Sequence, residues 1–282
     1  MTDRLEPGLY IVATPIGNLS DLSPHAARIL SMADLVAVED SRVTAKLLNH
    51  IGVKRPMTAY HDHNADRVRP DLIAQMAEKA VALVSDAGTP LISDPGFKLV
   101  RDARAAGRSI HTVAGPCAAI AALTLAGLPT DRFFFMGFLP AKSGARAAAI
   151  AEVAPLRATL IFYESGPRLA AALGALHLGL GDRDAAVVRE ISKKFEQTVT
   201  GTLGSLASDY AEAPPPKGEI VIVVGPPGEA AAPAEADVDA ALNEALTRLS
   251  VSRAAAEVAA QLGLKRREVY ERALEISGQA AR

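Results

Sequence analysis

Residues 80–96 read AVALVSDAGTPLISDPG. An apolar run, Val81 to Val84, stops abruptly at Ser85-Asp86-Ala87-Gly88-Thr89-Pro90, and a second turn, Asp94-Pro95-Gly96, follows at once. The pattern predicts a buried strand that empties into a tight, oxygen-rich loop before a helix starting near Pro95. In open α/β sheets, ligands bind just beyond the carboxyl ends of strands. Gly88 lets the backbone approach a ligand, Pro90 stiffens the loop, and Asp86 offers acceptors to hydroxyl or amino groups. An ordinary strand-to-helix turn uses the same residues, so the stretch by itself leaves both readings open.

On either side, short apolar runs alternate with helix-like segments. Strands are expected at 9–13, 35–38, 57–60, 81–84 and 109–113, with helices at 24–32, 42–51, 66–79 and 96–106. Such alternation argues for a mostly parallel sheet covered on both faces, and the lack of polar alternation in several strands agrees. A second set follows, with strands at 133–138, 159–163, 185–189, 198–202 and 219–224 and helices near 145–153 and 168–176. Its last strands lie close together with little helix between, which predicts a mixed sheet. Residues 225–236 are mostly Pro, Gly and Ala and read as a linker, and 238–277 as a compact helical module. The expected fold is therefore α/β, two domains (1–118 and 119–228) enclosing a cleft, plus a small helix-turn-helix-like module at 237–282.

Composition narrows the function classes. With 282 residues, 49% hydrophobic, the chain is long enough for two domains and a sizeable core. A formal net charge of −2 argues against a wholly basic nucleic-acid coat while leaving room for a local basic patch. The single cysteine, Cys117, forms no intrachain disulfide and fits a reducing cytoplasm. Residues 1–7 lack the apolar core of a signal peptide, and no run approaches the roughly 20 apolar residues of a membrane span. A cytoplasmic protein without membrane contact is expected.

Several further turns fall at expected strand ends. Ala13-Thr14-Pro15-Ile16-Gly17-Asn18-Leu19 contains neither G-x-G-x-x-G nor G-x-x-x-x-G-K-[ST], which argues against a P-loop nucleotidase or a dinucleotide enzyme. Val38-Glu39-Asp40-Ser41-Arg42 sets two acids before a helix, where a plain cap (Asp40 or Ser41) is an equal account. Ala114-Gly115-Pro116-Cys117-Ala118-Ala119 admits a flat ligand or simply packs a helix on the sheet; Cys117 has no activating base nearby. Tyr60-His61-Asp62-His63-Asn64 is dense in proton-transfer groups, but a zinc site wants three or four ligands and none of the others is supplied, so no metal is expected. His25, His50, His111 and His177 stand alone and read as structural or surface residues. Phe162-Tyr163-Glu164-Ser165, Arg189-Glu190-Ile191-Ser192-Lys193-Lys194 and Lys217-Gly218-Glu219 repeat the strand-end pattern in the second half, and this recurrence favours a cleft between the domains. In the module, Ser252 caps a helix, Gly263 makes a turn, and Lys265, Arg266 and Arg267 open a second helix. That is a helix-turn-helix pattern able to meet phosphates, or a docking hairpin with a solvated basic face.

Together these residues resemble the tetrapyrrole methylase superfamily and, within it, the ribosomal RNA small-subunit methyltransferase I group. The similar stretches are LYIVATPIGNLSDLSPHA (9–26), VEDSRVTAKLL (38–48), YHDHN (60–64), VSDAGTPLISDPG (84–96), AGPCAAIAAL (114–123), GFLPAK (137–142), IFYES (161–165) and KGEIVIVV (217–224), and the helical module is similar to that group's appended one. The resemblance implies S-adenosylmethionine in the interdomain cleft, a homodimer, and methyl transfer to the ribose 2′-hydroxyl of a cytidine in the decoding region of 16S ribosomal RNA. It implies cofactor contacts at Pro15, Asp86, Ala87, Gly88, Pro90, Ile92, Pro116, Cys117, Ala118, Tyr163, Gly218 and Glu219. The chain departs from the group at Ser165-Gly166-Pro167-Arg168, where Ser-Pro-His-Arg is usual, and at Ala65, where an acid usually follows Asn64.

A ribose hydroxyl must lose its proton as the new bond forms, so a general base is expected among His61, Asp62, Glu39, Asp40 and Glu164. Arg42, His63, Lys194, Lys265, Arg266 and Arg267 are the expected RNA contacts, with Lys193 or Lys194 orienting a phosphate. Two rival readings are a tetrapyrrole C-methylase, which shares cleft and cofactor, and a non-catalytic RNA-binding protein.

Overall fold

The computed structural model describes residues 4–228 and 235–278. The first half contains β1 (Gly8–Val12), α1 (Pro24–Met32), β2 (Leu35–Val38), α2 (Ser41–His50), β3 (Met57–Ala59), α3 (Ala65–Gln75), β4 (Ala80–Val84), α4 (Phe97–Ala105) and β5 (Ile110–Val113). Its sheet runs β3-β2-β4-β1-β5, with every pairing parallel. Residues of β1 alternate between two apolar layers: Tyr10 and Val12 pack with Ile29 and Leu30 of α1 and Leu47 and Leu48 of α2, while Leu9 packs with Leu72 of α3 and Leu99 of α4. Burial on both faces explains why β1, β2 and β4 carry no polar alternation.

The second half contains α5 (Ala118–Leu125), β6 (Phe133–Phe138), α6 (Ser143–Val153), β7 (Thr159–Ser165), α7 (Leu169–Leu180), β8 (Asp184–Arg189), β9 (Gln197–Thr202), α8 (Leu203–Glu212) and β10 (Glu219–Val224). The strand order is β6-β7-β10-β8-β9; β6 and β7 are parallel and the remaining pairs antiparallel. Leu160, Phe162 and Ile222 pack on one face with Ile150, Leu173 and Leu206, and Ile161, Val221 and Val223 on the other with Ala119, Ala122 and Leu123 of α5. Both sheets belong to one compact unit ending at Pro226, and a second unit begins at Pro227. The second unit is three helices, α9 (Glu235–Leu246), α10 (Val251–Leu262) and α11 (Arg266–Ile276), around Leu242, Ala255, Val258, Val269 and Ala273.

The structure departs from expectation in particular places. The helix after the opening loop starts at Phe97, because Gly96 at φ 140° forms its N-cap. The third helix ends at Gln75, where tightening 3₁₀-type bonds (Ala77 to Ala74, Glu78 to Gln75) turn the chain into β4. Helix α8 was not foreseen, although Thr202 and Ser205 form a capping box at its start. Pairing of Ser165 with Glu219 extends β7 two residues past its expected end. Helix α9 takes Glu235 and Ala236 from the expected linker, and 229–234 lie outside the described residues. Ser250, not Ser252, is the N-cap residue of α10, and the turn after it is made by Gly263 in the left-handed region.

Candidate active site

Parallel strands leave their sheet at one end, and in the second sheet antiparallel β10 enters where β7 and β8 leave. The loops at these ends enclose a cavity of about 440 Å³, within the range of small-molecule sites. From the first sheet, Ile16 follows β1, Glu39 follows β2, Asp86 to Thr89 and Ile92 to Asp94 follow β4, and Cys117 and Ala118 follow β5. From the second come Phe138, Tyr163 to Ser165, Glu190, Ile191, Lys193 and Gly218 to Val221. Of the expected cofactor contacts, Asp86, Ala87, Gly88, Ile92, Cys117, Ala118, Tyr163, Gly218 and Glu219 line the cavity; Pro15, Pro90 and Pro116 are not among its lining residues.

The loop after β4 is held by its neighbours. Thr14 and Gly88 exchange backbone hydrogen bonds of 2.9 and 3.1 Å, and the Thr89 hydroxyl donates to the Pro116 carbonyl at 2.9 Å. Gly88 has φ 84°, a conformation that glycine adopts without penalty. Its N–H and C=O are both engaged by Thr14, so it shapes the wall and does not offer its backbone to a ligand. Leu91 (φ 75°) and Ser93 (φ 62°) are also left-handed, which marks a strained segment beside the cavity.

The carboxylates divide by environment. Asp40 caps α2 through the Arg42 N–H and pairs with the Arg42 guanidinium, which holds its carboxyl down at about 2. Asp86 accepts the Asp40 N–H at 3.0 Å, and burial raises its pKa. Glu39 is raised by burial, then by the Asp86 and Asp62 charges, with a hydrogen bond from the Asp86 backbone and His61 opposing. His61 and Asp62 thus border Glu39 without lining the cavity, and His61 Nδ1 is buried without a hydrogen-bond partner. Asn64 organises that loop by accepting the His61 N–H and donating to the Ala59 carbonyl, both at 2.9 Å, and His63 packs edge-on to His61.

Asp94, which the sequence marks only as a turn residue, is pushed up to about 6 by burial, with a Ser85 hydrogen bond opposing and Glu39, Asp86 and Glu219 adding to the rise. Glu164 is 2% exposed; it accepts the Ser165 N–H at 2.8 Å and lies 3.3 Å from Arg168, which also donates to the Leu139 carbonyl. Tyr163, its pKa raised by burial, accepts the Ala119 N–H at 3.1 Å and so ties the second sheet to α5.

Among the described residues Lys193 is the one cation lining the cavity, 3.1 Å from Glu190 and 3.9 Å from Glu219. Its stem lies over Gly17, where any Cβ would sit 2.3 Å from Lys193 Cε, and the adjacent Ser192 hydroxyl bonds Asp21. Against it stand Glu39, Asp86, Asp94, Glu164, Glu190 and Glu219, so the cavity favours a cationic ligand, and Ile16, Ile92, Phe138, Ile191, Ile220 and Val221 supply apolar wall. Arg42, His63 and Lys194 lie outside the lining. In the second unit, Lys265 pairs with Glu268, Arg267 with Glu271, and Arg266 donates to Ser252. Among the described residues no group of three or more His, Cys, Asp or Glu is placed to hold a metal, and no helix is long and apolar enough to cross a membrane.

Comparison with known proteins agrees with this layout. The family model described as Tetrapyrrole (Corrin/Porphyrin) Methylases matches residues 8–207, and that described as RsmI C-terminal HTH domain matches 232–277. The chain is 52% identical over 274 residues to the ribosomal RNA small subunit methyltransferase I of Erythrobacter litoralis, covering 97% of each. It is 43% identical to the protein of that name from Escherichia coli O157:H7, covering 98% of each. Among solved structures, a diphthine synthase aligns at TM-score 0.61 and 16% identity, covering 77% of this chain and 89% of the other. A Thermus thermophilus uroporphyrin-III C-methyl transferase complexed with S-adenyl homocysteine aligns at 0.53 and 22%, covering 77% and 97%. At these identities the structural matches speak for the fold alone.

Proposed function

This chain belongs to the tetrapyrrole methylase family and, within it, to the ribosomal RNA small subunit methyltransferase I group, and from that premise we propose that it methylates the ribose 2′-hydroxyl of a cytidine in the decoding region of 16S ribosomal RNA. It is an S-adenosylmethionine-dependent methyltransferase acting on ribosomal RNA. The observation that carries the reading is an anionic, partly apolar cavity at the joined sheet ends, in a chain that also bears the group's helical unit. A tetrapyrrole C-methylase would have no use for that unit, and a non-catalytic RNA binder would have none for the cavity.

When bound, S-adenosylmethionine supplies an electrophilic methyl group on a positively charged sulfur. The carboxylates of the lining complement that charge, and the apolar wall excludes water around it. Residue roles follow from the environments. Asp40 is committed to Arg42 and Glu164 to Arg168, which leaves neither free as a base. Glu39 lines the cavity, has no ion-pair partner among the described residues and has a raised pKa, so it takes the hydroxyl proton as the oxygen accepts the methyl. His61 and Asp62 bias Glu39 from outside the lining; Arg42, His63 and Lys194 lie on the RNA side. Pro15, Pro90 and Pro116 brace the loops that hold the donor.

A homodimer is the assembly we put forward. Its support is β6, an edge strand with one unpaired side, whose Phe133 and Phe134 are 45% and 40% exposed. The compartment we put forward is the cytoplasm, supported by an rRNA substrate and by the free Cys117.

The test is methyl incorporation from labelled S-adenosylmethionine into undermethylated small subunits, with a tetrapyrrole precursor as the rival acceptor. Label is expected in the RNA, and Glu39→Gln should lower kcat by about 100-fold or more while the donor still binds. Label in the tetrapyrrole alone would overturn the reading.

A further inference from the structure

Residues 190–196, the connection between β8 and β9, face two ways. Glu190, Ile191 and Lys193 line the cavity, whereas Phe195 stands in solvent, 66% exposed, with the Lys194 ammonium 5.7 Å from its ring centroid. Two residues span at most about 7 Å of backbone, so Phe195 branches from the chain close to Lys193, which lines the cavity.

The connection is firmly built. Lys193 N–H bonds the Glu190 carbonyl, Glu196 N–H bonds that of Lys193, and the Glu196 carboxylate takes the Ser192 N–H at 2.6 Å. The Ser192 hydroxyl reaches Asp21 beyond β1. Glu190 (φ 51°) and Ser192 (φ 64°) are left-handed, a conformation that costs each about 1 kcal/mol or more and persists where surrounding contacts impose it, often at functional sites. A rigid, strained turn thus keeps a phenyl ring in water, although burying it would contribute about 1.5–3 kcal/mol. Lys193 is paired with Glu190, but Lys194 has no ion-pair partner among the described residues. An aromatic face beside an unpaired cation is the chemistry that single-stranded nucleic acid uses, through base stacking and a phosphate contact.

We infer that Phe195 is a stacking platform for an unpaired base of the RNA next to the methylated nucleotide, with Lys194 meeting the adjoining phosphate. The inference rests on the rRNA reading above and names a binding residue for that substrate. Charge complementarity favours RNA over a second copy of the chain as the occupant.

The chain contains no tryptophan, so Phe195→Trp places a single indole at the platform. Its emission should fall as a single-stranded decoding-region RNA oligonucleotide is titrated and hold steady with S-adenosylmethionine alone. Phe195→Ala should weaken RNA binding roughly 5- to 150-fold, the range that stacking energies give, with donor affinity kept, and Phe195→Tyr should restore it. Unchanged indole emission in a sample that binds and methylates RNA would overturn the platform alone. So would a Phe195→Ala protein that sediments as a smaller species, which would assign the ring to an interface between copies. Failure of the unsubstituted chain to methylate RNA would overturn the functional reading, and the platform with it.

Discussion

Gly88 and Asp94 lie six residues apart on one loop; the sequence marks both as turn residues but gives a ligand-site role to Gly88 alone. A Gly-Thr-Pro turn after a buried strand announces a conformation that needs glycine, and Gly88 does adopt φ 84°. Its job is different from the one its flexibility suggested, because its backbone is tied to Thr14. Gly88→Ala should destabilise the protein by about 1–2 kcal/mol through left-handed strain, since a Cβ there lies 3.3 Å from the Ile16 side chain. Urea unfolding should show that loss, and calorimetry a weaker grip on S-adenosylmethionine. Asp94 is different: burial and three neighbouring carboxylates act on it, and none of that is encoded locally. Its folded pKa is raised from 3.8 to about 6, so the folded state holds the proton more tightly than the unfolded chain. The stability it contributes is complete below 3.8, declines through the interval and is lost once pH passes about 6. Asp94→Asn should flatten stability over that window. Donor affinity should run the other way, rising roughly fivefold as Asp94 ionises, for a charge interaction of about 1 kcal/mol, and Asp94→Asn should remove the rise.

At the scale of elements, the inner strands of both sheets, such as β2, β4 and β10, were legible because burial on both faces leaves unbroken apolar runs. Element ends were less so, since they depend on partners: β7 runs on to Ser165 only because β10 pairs with it. That extension positions Glu164 at the cavity, where sequence offered it as a base and the structure commits it to Arg168. Arg168 joins the end of β7 to the Leu139 carbonyl after β6, and hence to the segment bearing Phe138. Arg168→Met leaves a carboxylate that is 2% exposed without its counter-charge. It should cost about 3 kcal/mol or more in chemical denaturation, whereas Glu164→Gln, which removes the buried charge, should cost less. Helix α8 escaped notice because its Thr202/Ser205 capping box follows a strand without a break.

For the whole molecule, the alternation of strands and helices foretold two sheets, and strand-end turns foretold a cavity where their loops meet. What pattern could not supply was which turns enter that cavity: the His61 to His63 loop stays outside its lining, close enough to act on Glu39, while Asp94 and Glu190 enter. The helix-turn-helix of the second unit was legible from Gly263 and the basic cluster after it, but not α9 before it nor the pairing of Lys265 and Arg267 with Glu268 and Glu271. Exposed pairs of this kind are weak enough to yield to phosphates. Changing Lys265, Arg266 and Arg267 together to Gln should lower RNA affinity. It should also reduce the slope of log K against log salt by about 0.7 for each phosphate that is no longer neutralised, with donor binding intact. Everything turns, however, on the atom that receives the methyl group. Small subunits treated with the protein and isotope-labelled S-adenosylmethionine, digested to nucleosides and mapped by mass spectrometry, identify that atom directly. Label is expected as 2′-O-methylcytidine at a decoding-region position of the 16S RNA. Label on a base, on another RNA, or nowhere on the subunit would refute that assignment.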